Sequence, residues 1–289
     1  MSPVGDWPAE PVWMTLPLGR VRVLDTGPRD APAVFFVHGL SYPLEVWHPL
    51  SRTLRTAGYR CVCYDLYGRG SSSYRGGALS TATLAQQALA VMDQHQVDRA
   101  HVVTLSNGDL ITLSLGVQAP QRLRSLSLIA PSGWDRRTMN PSMRLVCRTP
   151  GASRVFGEVL RRRLAQRMRD HASHLPPSAP ESAARVYDLA IEAVLGNPDF
   201  AAAATSQIGH QPTREGLRDL VKRFAATHVT TRMIHYGEEQ DATPEGTEVL
   251  RRGLPHATER VLAHGGHMGL LEYPEALGRV LLEGFQADP

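Results

Sequence analysis

The stretch AHVVTLSNGDLITLSLGV, residues 100–117, changes character at its middle. Ala100–Leu105 is a short apolar run of the kind carried by a strand buried on both faces, and Gly108–Val117 reads as a helix. The two meet at Leu105-Ser106-Asn107-Gly108, which leaves space only for a sharp strand-to-helix turn. A serine on such a turn is lifted out of the sheet, and the N-terminus of the following helix stabilises negative charge that develops beside it. Crowding at the turn favours small flanking residues, and Gly108 is one. Serine is also a common helix cap, so the local sequence admits either role for Ser106.

The same alternation extends outward in both directions. Upstream, two short strand-like runs (12–18 and 20–24) precede the apolar run Ala33–Val37, a helix over Trp47–Ala57, a strand run Arg60–Leu66 and a helix over Thr81–His95. Downstream, Ser125–Ala130 is a further strand, and the pattern resumes late with strand Thr231–Tyr236, helix Pro244–Arg252, strand Arg260–Ala263 and helix Pro274–Phe285. Fully apolar strands separated by helices predict an α/β fold, a mostly parallel sheet of about eight strands covered on both faces.

Between Trp134 and His228 no strand pattern occurs. Val155, Phe156, Val159, Leu160, Leu164 and Met168 form an apolar stripe at helical spacing, with Arg161, Arg162, Arg163 and Arg169 mostly off it. Ser178 with Glu181 has the spacing of a capping box after a proline-rich linker, Asn197-Pro198 would start a third helix, and Thr213–Ala226 a fourth. The expected organisation is a core domain of residues 1–133 and 229–289, with a helical cap of residues 134–228 inserted after the sixth strand.

Composition bounds the rest. The chain has 289 residues, 42% hydrophobic and 20% charged, which suits one large core with a subdomain on it. A net charge of +3 is too small to argue for nucleic acid, and the basic residues are nearly all arginine, Lys222 being the one lysine. Cys61, Cys63 and Cys147 have no metal-ligand spacing, and the first two, alternating with Val62, should share one face of a strand as packing residues. No signal-like start and no apolar run of about 18 residues is present, so the expectation is a soluble cytoplasmic protein without a membrane span.

Two histidines lie where they could meet Ser106. His38-Gly39 ends the first long buried strand, and a loop there can aim a backbone N–H at an acyl oxygen, with His38 itself read as a buried residue that fixes the loop. Gly265-Gly266-His267 follows the last strand, placing an imidazole at the carboxyl edge of the sheet, where sites form in open α/β folds.

Four segments in this order resemble the α/β-hydrolase superfamily over essentially the whole chain: His38-Gly39 with Trp47 behind it, the loop Tyr64–Ser71, the turn Thr104–Gly108, and Gly266-His267 with Glu272-Tyr273-Pro274-Glu275. Within it, Val37–Ser71 is most similar to bacterial esterases and monoacylglycerol-lipase-like hydrolases. The resemblance implies a serine carboxylic ester hydrolase acting on a small-molecule ester, with Ser106 as nucleophile, His267 as general base and the backbone N–H groups of Leu40 and Asn107 as oxyanion donors. It implies no cofactor and no metal. Thr104 stands where the family usually has glycine, and Asp109 where it has a small residue. The triad acid commonly lies three residues after the glycine that ends the penultimate strand; here that position is Gln240, so the expected acid is Asp241, with Glu239 and Asp135 as alternatives. The arginines of the insertion suggest a second reading, a carbon–carbon bond hydrolase of anionic ring-cleavage products. Those relatives tend to carry glycines after the histidine-glycine pair, whereas Leu40-Ser41-Tyr42-Pro43 favours the esterase. The irregular segment Gly237–Pro244 keeps open a third, a catalytically silent binding module.

Overall fold

The computed structural model describes residues 10–133, 140–239 and 244–287. Eight strands form one sheet: β1 (Val12–Leu16), β2 (Gly19–Thr26), β3 (Ala33–Val37), β4 (Arg60–Tyr64), β5 (Ala100–Leu105), β6 (Leu123–Ile129), β7 (Thr231–Tyr236) and β8 (Thr258–Leu262). Their order is β1-β2-β4-β3-β5-β6-β7-β8. The first two are antiparallel additions, and every pairing from β4 to β8 is parallel. This is the α/β architecture that the alternation of buried runs and helices predicts.

Every residue of β3, β4 and β5 is buried, which is why these strands read as unbroken apolar runs rather than alternating ones. Successive side chains feed opposite layers. Val34, Phe36, Cys61, Cys63, Val103 and Leu105 pack beneath Leu50 and Leu54 of α1 (His48–Thr56) and Leu277, Leu281 and Phe285 of α11 (Pro274–Gln286). Phe35, Val37, Val62, Tyr64 and Val102 face Leu84 and Val91 of α2 (Thr81–Gln94) and Leu110 and Leu113 of α3 (Gly108–Gln118). Each such aliphatic or aromatic side chain stabilises the fold by about 1.5–3 kcal/mol on full burial, before chain entropy is set against it. Cys61 and Cys63 do share a face.

Five helices follow β6: α4 (Pro141–Arg148), α5 (Ala152–Ser173), α6 (Glu181–Gly196), α7 (Phe200–Gly209) and α8 (Arg214–Ala225). The last packs its Leu217, Val221 and Phe224 into the core layer of α2 and α3, whereas α5, α6 and α7 add Met168, Val186, Tyr187 and Phe200 to the buried cluster that contains α1 and α11. The stripe on α5 divides: Met168 is buried and Leu160 and Leu164 pack on the core, but Val155 and Val159 are exposed. Helix α7 is buried along most of its length, from Ala203 to Gly209.

Two local expectations change. No capping box forms at Ser178 and Glu181, because Pro180, extended at φ −63° and ψ 146°, occupies the cap position itself and Ser178 lies two residues too early. Asn197 starts no helix; its Oδ1 accepts from Asp199 N at 2.9 Å while its Nδ2 donates to Gly70 O at 3.0 Å and Ser72 O at 2.9 Å, tying the insertion to the loop after β4. Among the described residues no helix is long and apolar enough to cross a membrane.

Candidate active site

β5 delivers Ser106 to the carboxyl edge of the sheet in a left-handed conformation, φ 51°. Such a conformation costs a non-glycine residue about 1–3 kcal/mol and persists only where its neighbours over-determine it. Here they do: Ser106 N–H donates to Ile129 O at 2.9 Å, and Ser106 O accepts from Asp109 N at 3.0 Å as α3 (Gly108–Gln118) begins. Thr104 fits the crowded turn because its hydroxyl donates to Val37 O at 3.1 Å. The space it takes is the space Gly108 leaves, since a Cβ on Gly108 would lie 2.3 Å from Thr104 Oγ1 and 2.8 Å from Val37 O. Threonine at one end of the turn thus requires glycine at the other.

His267 comes from the loop between β8 and α10 (Gly269–Glu272), and its Nε2 lies 2.9 Å from Ser106 Oγ. Its Nδ1 lies 2.9 Å from Glu239 Oε2, on the loop leaving β7. The Glu239 side chain is 9% exposed and that of His267 15%, so the pair is largely withdrawn from water. Glu239 N–H donates to Tyr236 O at 3.2 Å and Glu238 N–H to Gly265 O at 3.1 Å, which brings the two loops side by side. Of the three acids that the sequence proposes, Asp241 and Asp135 lie outside the described residues; among the described residues it is Glu239 whose carboxylate meets the imidazole. Glu272 accepts from Gly266 N at 3.3 Å beside the histidine, and half-burial, reinforced by Glu238 and Glu239, raises its pKa.

The two expected oxyanion donors are aimed through the carbonyls of their own peptide units. A trans peptide points its C=O and its N–H in opposite directions, so holding one aims the other. His38 Nδ1 lies 2.7 Å from Gly39 O, and Leu66 N donates to His38 Nε2 at 2.9 Å, which assigns the proton to Nδ1. Complete burial pushes the imidazole's pKa down to about 4, so His38 is neutral around pH 7 and serves as a clamp on the peptide whose N–H belongs to Leu40. The bond from Asp109 N to Ser106 O does the same for Asn107 N–H. No hydrogen bond takes up either N–H among the described residues. Gly39 allows the approach: a Cβ there would lie 3.4 Å from Ser106 Cβ and 3.2 Å from Leu105 O.

Arg69 and Gln207, to which sequence reasoning gave no part, converge on the same residues. Arg69 Nε donates to Leu40 O at 3.0 Å, and Gln207 Nε2 donates to Asn107 Oδ1 at 2.9 Å. Above the site, the His171 ring of α5 packs edge-on against Tyr187 at 6.4 Å, and Tyr187 against Tyr42 at 6.2 Å. No group of three or more His, Cys, Asp or Glu among the described residues is placed to hold a metal ion.

Asp109 is the second departure from expectation that the structure accounts for. Fully buried in the first turn of α3, it accepts from Leu110 N at 2.6 Å and from Gly133 N at 2.7 Å, pinning the loop after β6. Burial outweighs these bonds and pushes its pKa up to about 7. An unfolded aspartate ionises near pH ~4, so the folded state holds a proton that the unfolded chain has lost. That contribution is complete below about pH 4 and is lost as pH climbs through about 7. Asp109→Asn, which cannot ionise, should therefore gain on the wild type as pH rises. By urea denaturation the stability difference should shift by about 2 kcal/mol between pH 5 and pH 8. A difference independent of pH would show that Asp109 ionises as freely folded as unfolded.

The alpha/beta hydrolase fold family model matches residues 32–274. Carboxylesterase YbfK of Bacillus subtilis (strain 168) is 26% identical over 129 residues, 44% of this chain and 43% of the relative. The 3-oxoadipate enol-lactonase 1 of Acinetobacter baylyi (strain ATCC 33305 / BD413 / ADP1) is 29% identical over 118 residues, 38% of this chain and 44% of the relative. The chain thus spans less than half the length of these curated relatives. The crystal structure of a hydrolase from Pseudomonas aeruginosa PA01 superposes with a TM-score of 0.72 at 19% identity, covering 96% of this chain and 98% of that one.

Proposed function

Because the chain belongs to the alpha/beta hydrolase fold family, we propose that it is a serine hydrolase that cleaves small carboxylic esters through an acyl-enzyme on Ser106. The observation that carries this reading is the hydrogen-bonded series from Ser106 Oγ to His267 Nε2 and from His267 Nδ1 to Glu239 Oε2, 2.9 Å at each contact. The name of the relative carboxylesterase YbfK supports the same class.

In this mechanism Ser106 Oγ attacks the acyl carbon while its proton passes to His267 Nε2. Glu239 accepts from Nδ1–H, which keeps the imidazole in the tautomer that can take the proton and stabilises the imidazolium that results. The carbonyl oxygen gains negative charge and is met by the N–H groups of Leu40 and Asn107; each such donor is worth about 3–4 kcal/mol in transition-state stabilisation. Collapse of the tetrahedral adduct releases the alcohol, which takes the proton from His267. Water, deprotonated by the same imidazole, then attacks the ester of Ser106 and releases the acid and the free serine.

The test compares turnover of p-nitrophenyl butyrate with that of a dienoate ring-fission product, alongside labelling by a fluorophosphonate. Hydrolysis of the ester, little turnover of the dienoate and a label on Ser106 are expected. Preferred cleavage of the dienoate would favour the carbon–carbon hydrolase. Folded protein that takes no label on Ser106 and turns over neither compound would favour the silent module.

A further inference from the structure

One buried cation in this molecule has a set of partners that its packing alone does not require. Arg69 is fully buried, and no carboxylate among the described residues pairs with it. Its guanidinium is spent on three oxygens: Nε on Leu40 O at 3.0 Å, Nη1 on Tyr67 O at 2.7 Å, and Nη2 on Gln207 Oε1. Taking a guanidinium out of water without a counter-ion is expensive, and an apolar side chain of similar volume would fill the space without that cost. The lowering of the Arg69 pKa to about 9 by burial reflects the same desolvation.

Gln207 carries the connection onward. Having accepted from Arg69 through Oε1, its amide can present only Nε2 on the other side, and that group donates to Asn107 Oδ1 at 2.9 Å. Gln211 donates to the same oxygen at 3.1 Å. Helix α7, which bears Gln207, is itself fixed to the core: Ser206 Oγ donates to Gly77 O at 2.9 Å and accepts from Leu79 N at 3.1 Å, and Asp199, just before the helix, accepts from Tyr74 N at 2.8 Å. A polar chain therefore runs from Leu40 through Arg69 and Gln207 to Asn107, the two residues whose N–H groups face the oxyanion in the proposed mechanism.

We infer that Arg69 and Gln207 are positioning residues that lock the two oxyanion donors at a common spacing, so that insertion helix α7 is a working part of the catalytic site. The inference rests on the acyl-enzyme reading above. His38 and Asp109 N–H aim each donor's peptide separately; the Arg69–Gln207 chain ties the carbonyl of Leu40, in the next peptide along, to the side chain of Asn107, and so links the two donor residues to one another. Only a planar fork can serve here, because a lysine ammonium on a single stem cannot reach Leu40 O, Tyr67 O and Gln207 in their fixed directions.

The experiment measures kcat, KM, the inhibition constant of a trifluoromethyl ketone and the melting temperature for Arg69→Lys and Gln207→Glu, with Ser106→Ala as the reference. The ketone forms a tetrahedral adduct and so reports on the oxyanion site directly. Both variants are expected to lose about 10- to 100-fold in kcat, with KM changed less than about threefold and ketone affinity falling in step with kcat. Gln207→Glu is the decisive case. It gains a charge pair with Arg69, so its melting temperature should hold, yet it has no hydrogen to donate to Asn107 Oδ1. Wild-type kcat and ketone affinity in folded Gln207→Glu and Arg69→Lys would overturn the inference while leaving the acyl-enzyme reading intact. Ester turnover that survives Ser106→Ala would overturn that reading instead.

Discussion

Replacing Ser106 with alanine should lower kcat/KM on short acyl esters by a factor on the order of 10⁴ to 10⁶ and leave the fold standing. The chemical half of this expectation follows from geometry: without Oγ nothing else in the turn faces His267 Nε2 at 2.9 Å, and water must attack the ester directly. The residual rate would come from the oxyanion donors and from binding alone. The structural half follows from backbone conformation. Ser106 sits at φ 51°, where alanine is as strained as serine, and its backbone contacts to Ile129 O and Asp109 N do not involve the side chain. A Ser106→Gly variant extends the test. Glycine enters the left-handed region without the Cβ penalty, which offsets its larger loss of chain entropy, so this variant should be no less stable than wild type and equally inactive. Thermal melts and ester assays on the three proteins separate the roles. An active Ser106→Ala protein would remove the nucleophile from the mechanism; an inactive but unfolded one would be exposed by its melt, and Ser106→Gly would then decide.

The fold was legible in the sequence wherever burial was two-sided. Val34, Phe35 and Phe36 are all buried, as are Cys61, Val62 and Cys63, and such runs admit few structures other than parallel strands between helical layers. At the margin of the sheet the signal thins: β8 leaves Thr258, Arg260 and Val261 exposed, so its apolar pattern starts later than its hydrogen bonding does, at Thr258. Helix α4 went unread for a related reason, since only Cys147 of its eight residues is buried and no apolar periodicity marks it. The departures at the elbow were legible as departures but not as solutions. That Thr104 and Gly108 share one volume, and that Asp109 pins the loop at Gly133, depends on contacts between segments that spacing does not encode. The same holds for Arg69 and Gln207, which are 138 residues apart in the chain and joined only through the docking of α7.

The acid is where spacing and geometry diverge, and Glu239→Gln should show the second largest loss, about 10²- to 10⁴-fold in kcat on p-nitrophenyl butyrate. Counting three residues from Gly237 leads to Gln240 and suggests Asp241 beside it. Glu239 stands one residue earlier than the count, but its side chain is one methylene longer than aspartate, and it meets His267 Nδ1 at 2.9 Å. Two effects act together when its charge is removed. The imidazolium formed as Ser106 gives up its proton loses its counter-ion in a site where both side chains are largely withdrawn from water, so little solvent screening replaces it. An amide can also turn its NH₂ toward Nδ1, which places the imidazole proton on Nε2 and leaves no lone pair for the serine proton. Glu239→Asp should fall between, because the shortened side chain cannot span the same contact. Asp241→Asn should stay within about threefold of wild type, because Glu239 already supplies a carboxylate at His267 Nδ1. The comparison is decisive in either direction: a dead Asp241→Asn beside an active Glu239→Gln would assign the acid to Asp241, whereas the expected order places the imidazole's partner two residues after Gly237.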